Sequence, residues 1–363
     1  MDRSLQDPGR WPAGRAPAAA PTVAALVAAR MLDAELAALL WLMVEANVPL
    51  IAAAADPGSP AEAVLEAFLD LLPPVTARLV LQGEHEAFDW LGDAAALGWE
   101  GADEGPSSQR SSASGPPPVA RLALPPRRTA PPETTYLVAG EIGAAAPADI
   151  YGPRARVLIR ALQRGYGLAA TIRADSLEQV FARLGAPPAS LSADELRRLG
   201  VVVVLRRAGS THPPSTADRP EPRELAAAAD RDAPSSEQAP PGVVETERGG
   251  PTAEAGTAEG TAWRVAACHY VRPLERDAAG HLQRRPPAVL ATWDARRDLL
   301  EHFEWGVTTE LAMRIGLGRD DFEREHGERT RAIAALVAAG QTSRGAVQTL
   351  LARRSRSNPG DAG

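Results

Sequence analysis

The chain contains 363 residues, of which 46 are acidic and 39 are basic, so its formal net charge is −7. A net negative charge argues against general binding to nucleic acids or anionic membranes, which requires a basic excess. Every basic residue is an arginine, and the absence of lysine excludes any chemistry that needs a lysine at a fixed position.

The first predicted element after a disordered tail at 1–21 is an amphipathic region of one or two helices at 22–45. From there, short apolar runs typical of buried strands alternate with helical periodicity. This pattern predicts a mainly parallel sheet with helices on both faces, an α/β fold. The predicted strands are 48–55, 77–82, 135–139, 169–173 and 201–205, and the predicted helices are 59–72, 154–164 and 177–184.

Two stretches of biased composition interrupt these elements. Both are rich in proline, serine and glycine and have few large apolar residues, so they cannot offset the entropy of ordering. They predict a surface-loop insertion at about 101–118 and a disordered linker at 208–262. The folded parts are then a core at 22–207 and a C-terminal part at 263–354, which precedes a tail at 355–363.

The C-terminal part has the pattern of an antiparallel β-meander followed by helices. Gly340 is well placed to end the second of these helices. Acidic and arginine side chains alternate along the same helix, Arg329 among them, and predict a solvated face. The strands are expected at 263–271, 287–293 and 299–305, and the helices at 309–316, 319–339 and 343–354.

The sequence predicts a cytoplasmic protein without a transmembrane segment. The apolar stretch 24–55 is interrupted by charged residues and gives no run long enough to span a bilayer. The single cysteine, Cys268, can form no internal disulfide, which fits a reducing compartment. Its neighbour His269 has no cysteine or histidine at metal-ligand spacing, so no metal site is predicted.

The segment 49–65 has the strand, turn and helix order of a phosphate-binding loop. Written against the pattern G-x-x-x-x-G-K-[ST], its four defining positions carry Ala55, Pro60, Ala61 and Glu62. Proline removes a backbone N–H that would face a phosphate, alanine removes the cation, and glutamate replaces a magnesium-binding hydroxyl. The candidate nucleotide-binding residues of this degenerate loop are Asp56, Pro57, Gly58, Ser59, Pro60, Ala61 and Glu62.

The same residues permit a simpler interpretation as an ordinary helix start. Ser59 and Glu62 have the spacing of a capping box, and Pro60 would then occupy the first helical position. In that case Glu62, rather than a phosphate, complements the positive end of the helix dipole.

Several segments together resemble, in order and spacing, the motor ATPases of type II and type IV secretion systems and their relatives that drive pili and archaella. The resemblance covers about two thirds of the chain and implies a RecA-like P-loop NTPase fold, a three-layer sandwich. It also implies ATP and Mg²⁺ as cofactors. The segments are 36–74, 136–141, 164–176, 187–188, 201–207 and 291–298.

The resemblance assigns roles to three further places. Gly140-Glu141 falls at the Walker B position, although Glu141 could equally be an acid that ends a strand. Glu84 and Glu86 are candidates for the acidic box, or else belong to a solvated strand end. Arg173 stands at the histidine-box position, where an arginine cannot shuttle a proton at neutral pH.

The arginines leave two alternatives open. Arg173 could contact a phosphate at a subunit boundary, or it could form a salt bridge with Asp175, Glu141 or another acid. Arg164 could act similarly, or it could simply lie in the last turn of a helix, where its charge favours the C-terminal dipole.

The favoured function is therefore a non-hydrolysing structural or regulatory subunit that resembles the secretion ATPases. The alternative is an active motor in which an arginine replaces the missing lysine. An unrelated binding role on the same scaffold is the third hypothesis. By resemblance, the partners would be a homo- or hetero-oligomeric ring of secretion or pilus proteins and a membrane-platform protein, with the chain at the inner face of the cytoplasmic membrane. No nucleic acid is expected.

Overall fold

The computed structural model describes residues 20–101, 130–143, 146–209, 262–277 and 279–357, and every statement below concerns these residues. The predicted tails, the loop insertion and the 208–262 linker lie largely outside them.

Helices and strands alternate through the first part of the chain, as the sequence predicts. The helices are α1 (Val23–Ala28), α2 (Ala34–Glu45), α3 (Ala61–Leu69), α4 (Pro153–Ala161), α5 (Leu177–Gly185) and α6 (Ala193–Leu196), followed by α7 (Thr308–Arg314), α8 (Arg319–Ala338) and α9 (Arg344–Ser357). The strands are β1 (Leu50–Ala54), β2 (Ala77–Val80), β3 (Thr135–Glu141), β4 (Gly167–Ile172), β5 (Val201–Arg207), β6 (Trp263–Tyr270), β7 (Glu275–Arg276), β8 (Leu282–Gln283), β9 (Ala288–Asp294) and β10 (Leu299–His302).

Eight strands form one sheet in the order β10-β9-β6-β5-β1-β4-β3-β2. The five strands from β5 to β2 pair in parallel, and β1 lies between β4 and β5, with Leu50 opposite both Ala169 and Val201. The predicted α/β fold with a largely parallel sheet is confirmed.

The three long C-terminal strands extend the same sheet. β6 pairs antiparallel with β5 from Val201 opposite Tyr270 to Arg207 opposite Trp263, and β9 and β10 follow as the predicted meander. Pairing with β6 hydrogen-bonds the edge of β5 that would otherwise be exposed. Composition divides the chain at 208–262, but hydrogen bonding joins the two parts in one sheet.

The sheet is covered on both faces, so its central strands alternate between two hydrophobic cores. In β1, Leu50, Ala52 and Ala54 belong to the core under α1, α2 and α3, whereas Ile51 and Ala53 belong to the core under α4 and α5. Strands buried on both faces carry continuous apolar runs, which is why the sequence lacks polar alternation here.

The predicted amphipathic region 22–45 forms two helices, and the second is not amphipathic. Every residue from Leu36 to Val44 is buried. α8 packs against α2, which also contacts α1 and α3. A helix enclosed on all sides is apolar all round.

The end of α8 has the predicted glycine stop. Gly340 has a φ of +66° and donates its amide to the Val337 carbonyl, while Gln341 donates to the Leu336 carbonyl. This is the Schellman pattern, which glycine permits because it lacks a Cβ atom. The predicted solvated face of α8 is wrong at Arg329, which is only 5% exposed because it packs against α2. None of the described helices has the length and apolar character needed to cross a membrane.

Candidate functional site

A cleft of about 300 Å³ opens at the carboxyl end of β1 and β4. Its walls come from the turn after β1, the first turn of α3, the end of β3 and the end of β4. Of the degenerate phosphate loop, five of the seven predicted residues line it: Asp56, Pro57, Ser59, Ala61 and Glu62. Glu141 and Arg173 line the opposite wall.

Asp56 organises the turn that follows β1. Its Oδ1 accepts a hydrogen bond from the Gly58 amide at 2.8 Å, and its Oδ2 accepts one from Nε of Arg207 at 2.9 Å. The Gly58 amide and then the Arg207 guanidinium lower the pKa of Asp56. The Asp56 carboxylate therefore already binds an amide and a guanidinium, the kinds of group that bind a phosphate.

The helix start predicted for this segment is wrong in detail. Pro60, with a φ of −82°, is the N-cap of α3, no side chain caps the helix, and Ala61 is its first residue. Ser59 donates its amide to the carbonyl of Asp56 at 3.1 Å. The serine is thereby held in the preceding turn, one residue too early for a capping box with Glu62.

A β-bulge places Glu141 at the cleft. Along β3 the pairing with β4 advances three residues, from Val138 to Glu141, while β4 advances only two, from Ala169 to Thr171. Gly140 lies within this bulge, and a Cβ atom there would approach the Ala148 carbonyl oxygen to 2.7 Å. Bulges redirect side chains, and here glycine is the residue that the close backbone approach admits.

Arg173 pairs with Glu141 on the same wall of the cleft. Its NH2 donates to Oε2 of Glu141 at 3.0 Å, and the arginine side chain is 42% exposed whereas the glutamate side chain is 12% exposed. Of the alternatives considered for Arg173, the structure therefore has the salt bridge with Glu141. Glu141 therefore has a countercharge within the same chain.

Arg164 lies away from the cleft. It belongs to the 3₁₀ turn that precedes β4 and forms an ion pair with Asp93. Residues that precede a parallel strand lie at the amino edge of the sheet, opposite the edge that carries the cleft. Among the arginines considered from the sequence, only Arg173 reaches this site.

The two acidic-box candidates also lie outside the cleft lining. Glu86 is buried and accepts hydrogen bonds from the amides of Gln82 and Phe88 and from the indole of Trp90, at 2.8 to 3.1 Å. Its carboxylate thus organises the segment after β2. Glu84 is about half exposed, 3.5 Å from His85.

One residue beside the cleft was missed by sequence reasoning. Arg207 ends β5 and reaches Asp56 because β5 is the neighbour of β1. This contact follows from strand order, for which no local sequence signal exists. Thr171, in the strand predicted at 169–173, pairs with Glu141 and also lines the cleft. Elsewhere in the described chain, one group of three metal-type ligands occurs, at Glu35, His302 and Glu304.

The chain was also compared with known proteins. No protein-family model matches it, and no curated protein matches it by sequence.

Proposed function

We propose that this chain is a degenerate P-loop NTPase of the RecA-like type, similar to the motor ATPases of secretion and pilus systems, and serves as a non-hydrolysing structural or regulatory subunit. The observation that carries the proposal is the position of the cleft. From β1 the chain crosses to β2 on one side, whereas from β4 it crosses to β5 on the other. Ligands of open α/β sheets bind where such crossovers diverge, outside the carboxyl ends of the strands.

The residues at this switch point do not fit Mg-ATP. A phosphate would compete with the Asp56 carboxylate for the Gly58 amide, and Pro60 has no N–H to offer. Glu62 lines the cleft where the P-loop pattern has a hydroxyl. Phosphoryl transfer depends on positioned positive charge, and the cations nearby, Arg173 and Arg207, already pair with carboxylates.

A structural or regulatory role follows from the same arrangement. A chain with this sheet, but without free groups to bind phosphate, could still assemble with other subunits and would not hydrolyse ATP. In this proposal the protein acts in the cytoplasm, in a ring with homologous or identical subunits at a membrane-platform protein. The alternative, an active motor, requires Arg173 to leave Glu141 and bind the β and γ phosphates.

The first experiment is calorimetric titration of the purified full chain with Mg-ATP, together with an assay of phosphate release. We expect no saturable binding at millimolar nucleotide and no turnover. Micromolar binding with a turnover that Glu141→Gln abolishes would overturn the proposal in favour of an active motor. The variant Arg173→Gln then tests the arginine directly, since unchanged turnover would remove it from the mechanism.

A second experiment tests the ancestry of the fold separately. The quadruple variant Ala55→Gly/Pro60→Gly/Ala61→Lys/Glu62→Thr restores all four positions of the loop pattern, and we expect it to gain affinity for Mg-ATP that the native chain lacks. The matched control carries the lysine two positions later, at Ala63, outside the residues that line the cleft. If the restored variant folds and binds no better than this control, the P-loop assignment is wrong.

A further inference from the structure

Asp33 and His302 join the start of α2 to the end of β10. Asp33 is the N-cap of α2, and its Oδ1 accepts a hydrogen bond from the Leu36 amide at 2.9 Å. Its other oxygen, Oδ2, lies 2.7 Å from Nε2 of His302. The carboxylate is thereby fixed by the helix, and it fixes in turn the orientation of the imidazole ring.

The second ring nitrogen of His302 faces Glu304. Nδ1 of His302 and Oε2 of Glu304 are 3.5 Å apart, and both atoms are buried without a hydrogen-bond partner. Glu304 is only 8% exposed. Buried polar atoms are nearly always hydrogen-bonded, whereas these two face each other at ion-pair distance without hydrogen-bond geometry, and an ion between them would satisfy both. Two donors bound to one tetrahedral zinc ion are separated by about 3.4 Å, close to the spacing seen here.

Glu35 supplies a third carboxylate beside the ring, with its Oε2 3.9 Å from Nε2 of His302. One ligand atom each from Glu35, His302 and Glu304 lie within 4.8 Å of one another. With Asp33 included, three carboxylates surround a single histidine, so the group has an excess of negative charge. Nitrogen and oxygen donors with such an excess suit a divalent first-row transition metal.

We propose that Glu35, His302 through Nδ1, and Glu304 bind a divalent metal ion of the zinc type, with Asp33 as the outer carboxylate that orients the imidazole. Histidine ligands of metals characteristically donate their other ring N–H to a carboxylate, which is the contact that Asp33 makes with Nε2. Three protein ligands leave a fourth position for water or a partner ligand.

The site would connect segments that are far apart in the chain. Glu35 belongs to the first turn of α2, whereas His302 and Glu304 follow β9 at the far edge of the sheet. An ion that binds the folded chain and not the unfolded chain stabilises the fold by mass action. The proposal is independent of the function proposed for the cleft, since the two places share no residue.

The test uses tag-free full-length protein that has been stripped with EDTA. Titration with Zn²⁺ by calorimetry is expected to show one equivalent bound at micromolar concentration. Titration with Co²⁺ is expected to produce visible d–d absorption, and bound Zn²⁺ is expected to raise the melting temperature. Glu304→Gln is expected to weaken binding by at least about tenfold, since it removes a charged ligand.

Two further variants keep the result interpretable. Glu35→Gln changes a side chain that is about half exposed, so it tests the site even if Glu304→Gln folds poorly. His281→Ala is the matched control, because His281 faces Asp277 at the same 3.5 Å but is exposed, and we expect it to bind as the native chain does. The proposal is overturned if the native chain shows no saturable binding at millimolar Zn²⁺, or if Glu35→Gln binds as tightly as His281→Ala.

Discussion

The cleft and the two ends of α2 both bring acids and cations together, but they do so in different surroundings. In the cleft each ion pair joins one acid to one arginine, and the arginine side chains, Arg173 and Arg207, are 42% and 44% exposed. At the ends of α2 the cations are largely enclosed. The side chain of His302 is 15% exposed and that of Arg329 is 6% exposed.

The difference in exposure implies different roles: the cleft arginines neutralise nearby acids, whereas the buried cations at the ends of α2 stabilise the fold. Exposed pairs are screened by water and contribute little to stability. Buried pairs are costly to break, since the remaining charge is left without a partner in a medium of low dielectric constant. We therefore expect substitutions at α2 to act on stability and substitutions in the cleft to act on its electrostatics.

The largest effect is expected at Arg329. Its guanidinium binds Glu45 of α2 and Glu325, both at 2.5 Å, and stacks on the ring of Trp41 at 5.0 Å. Arg329→Met keeps much of the volume but leaves Glu45 without its partner and Glu325 with Arg354 alone, so we expect the free energy of unfolding to fall by about 2–4 kcal/mol. Urea denaturation measures this change.

The control for Arg329 lies on the same helix. Arg324 pairs with Asp321 at 2.6 Å, but both side chains are more than half exposed. Arg324→Met is expected to change stability by no more than about 0.5 kcal/mol. Equal losses in the two variants would show that burial is not the deciding factor.

His302 comes next. Burial lowers the pKa of His302, but the hydrogen bond that its Nε2 donates to Asp33, the contact with Glu304 and the charges of both acids raise it to about 10, so without a metal the ring is a cation at neutral pH. In metal-free buffer, His302→Ala leaves the acids without their countercharge, and we expect a loss of about 1–3 kcal/mol in urea denaturation. His281→Ala should leave stability unchanged, because His281 is exposed.

These first two positions show how far sequence alone leads. The helix periodicity and the glycine stop at Gly340 are set by near neighbours and were predicted. The burial of Arg329 was not, because it depends on which helix packs across α8. The partnership of His302 with Asp33 was not either, since it depends on β10 reaching the start of α2.

A smaller effect is expected for Arg173→Gln in the cleft. Arg173 is partly solvated, but the carboxylate left behind, Glu141, is largely buried and could still accept a hydrogen bond from glutamine, so the free energy of unfolding should fall by about 1–2 kcal/mol. The charge of Glu141 is then uncompensated, which should weaken rather than create affinity for nucleotide phosphates. Nucleotide titration of this variant checks the second expectation, and a loss of stability as large as that at Arg329 would contradict the first.

The smallest expected effect is on the pKa of Asp56. The Gly58 amide first, and then Arg207, hold the pKa of Asp56 below its ordinary range. A lowered pKa in the folded state means that this carboxylate favours folding above pH of about 4 and loses that contribution as the pH falls further. NMR of the Asp56 carboxyl carbon as a function of pH measures this pKa. In Arg207→Gln we expect the pKa to rise only partly toward the ordinary value of an aspartate. A full shift would show that Arg207, and not the amide, is the main cause.

The sequence by itself determined the elements of the sheet and the failure of the phosphate-binding pattern. Continuous apolar runs such as 201–205 are sufficient to predict strands buried on both faces. Successive side chains of a strand point to opposite faces, so a run without polar residues indicates that both faces are covered. The residues at Ala55, Pro60, Ala61 and Glu62 already exclude the ordinary chemistry of the loop.

Only the tertiary structure decided which charges meet. Strand order puts Arg207 beside Asp56, and it pairs β6 with the outer edge of β5. A one-residue bulge in β3 brings Glu141 to Arg173. Local propensities extend over a few residues, whereas these contacts join segments brought together by packing on a shared sheet. Ion pairing between distant segments is therefore fixed by topology: the sequence offered Glu141 as one of several partners for Arg173, and strand order selected it.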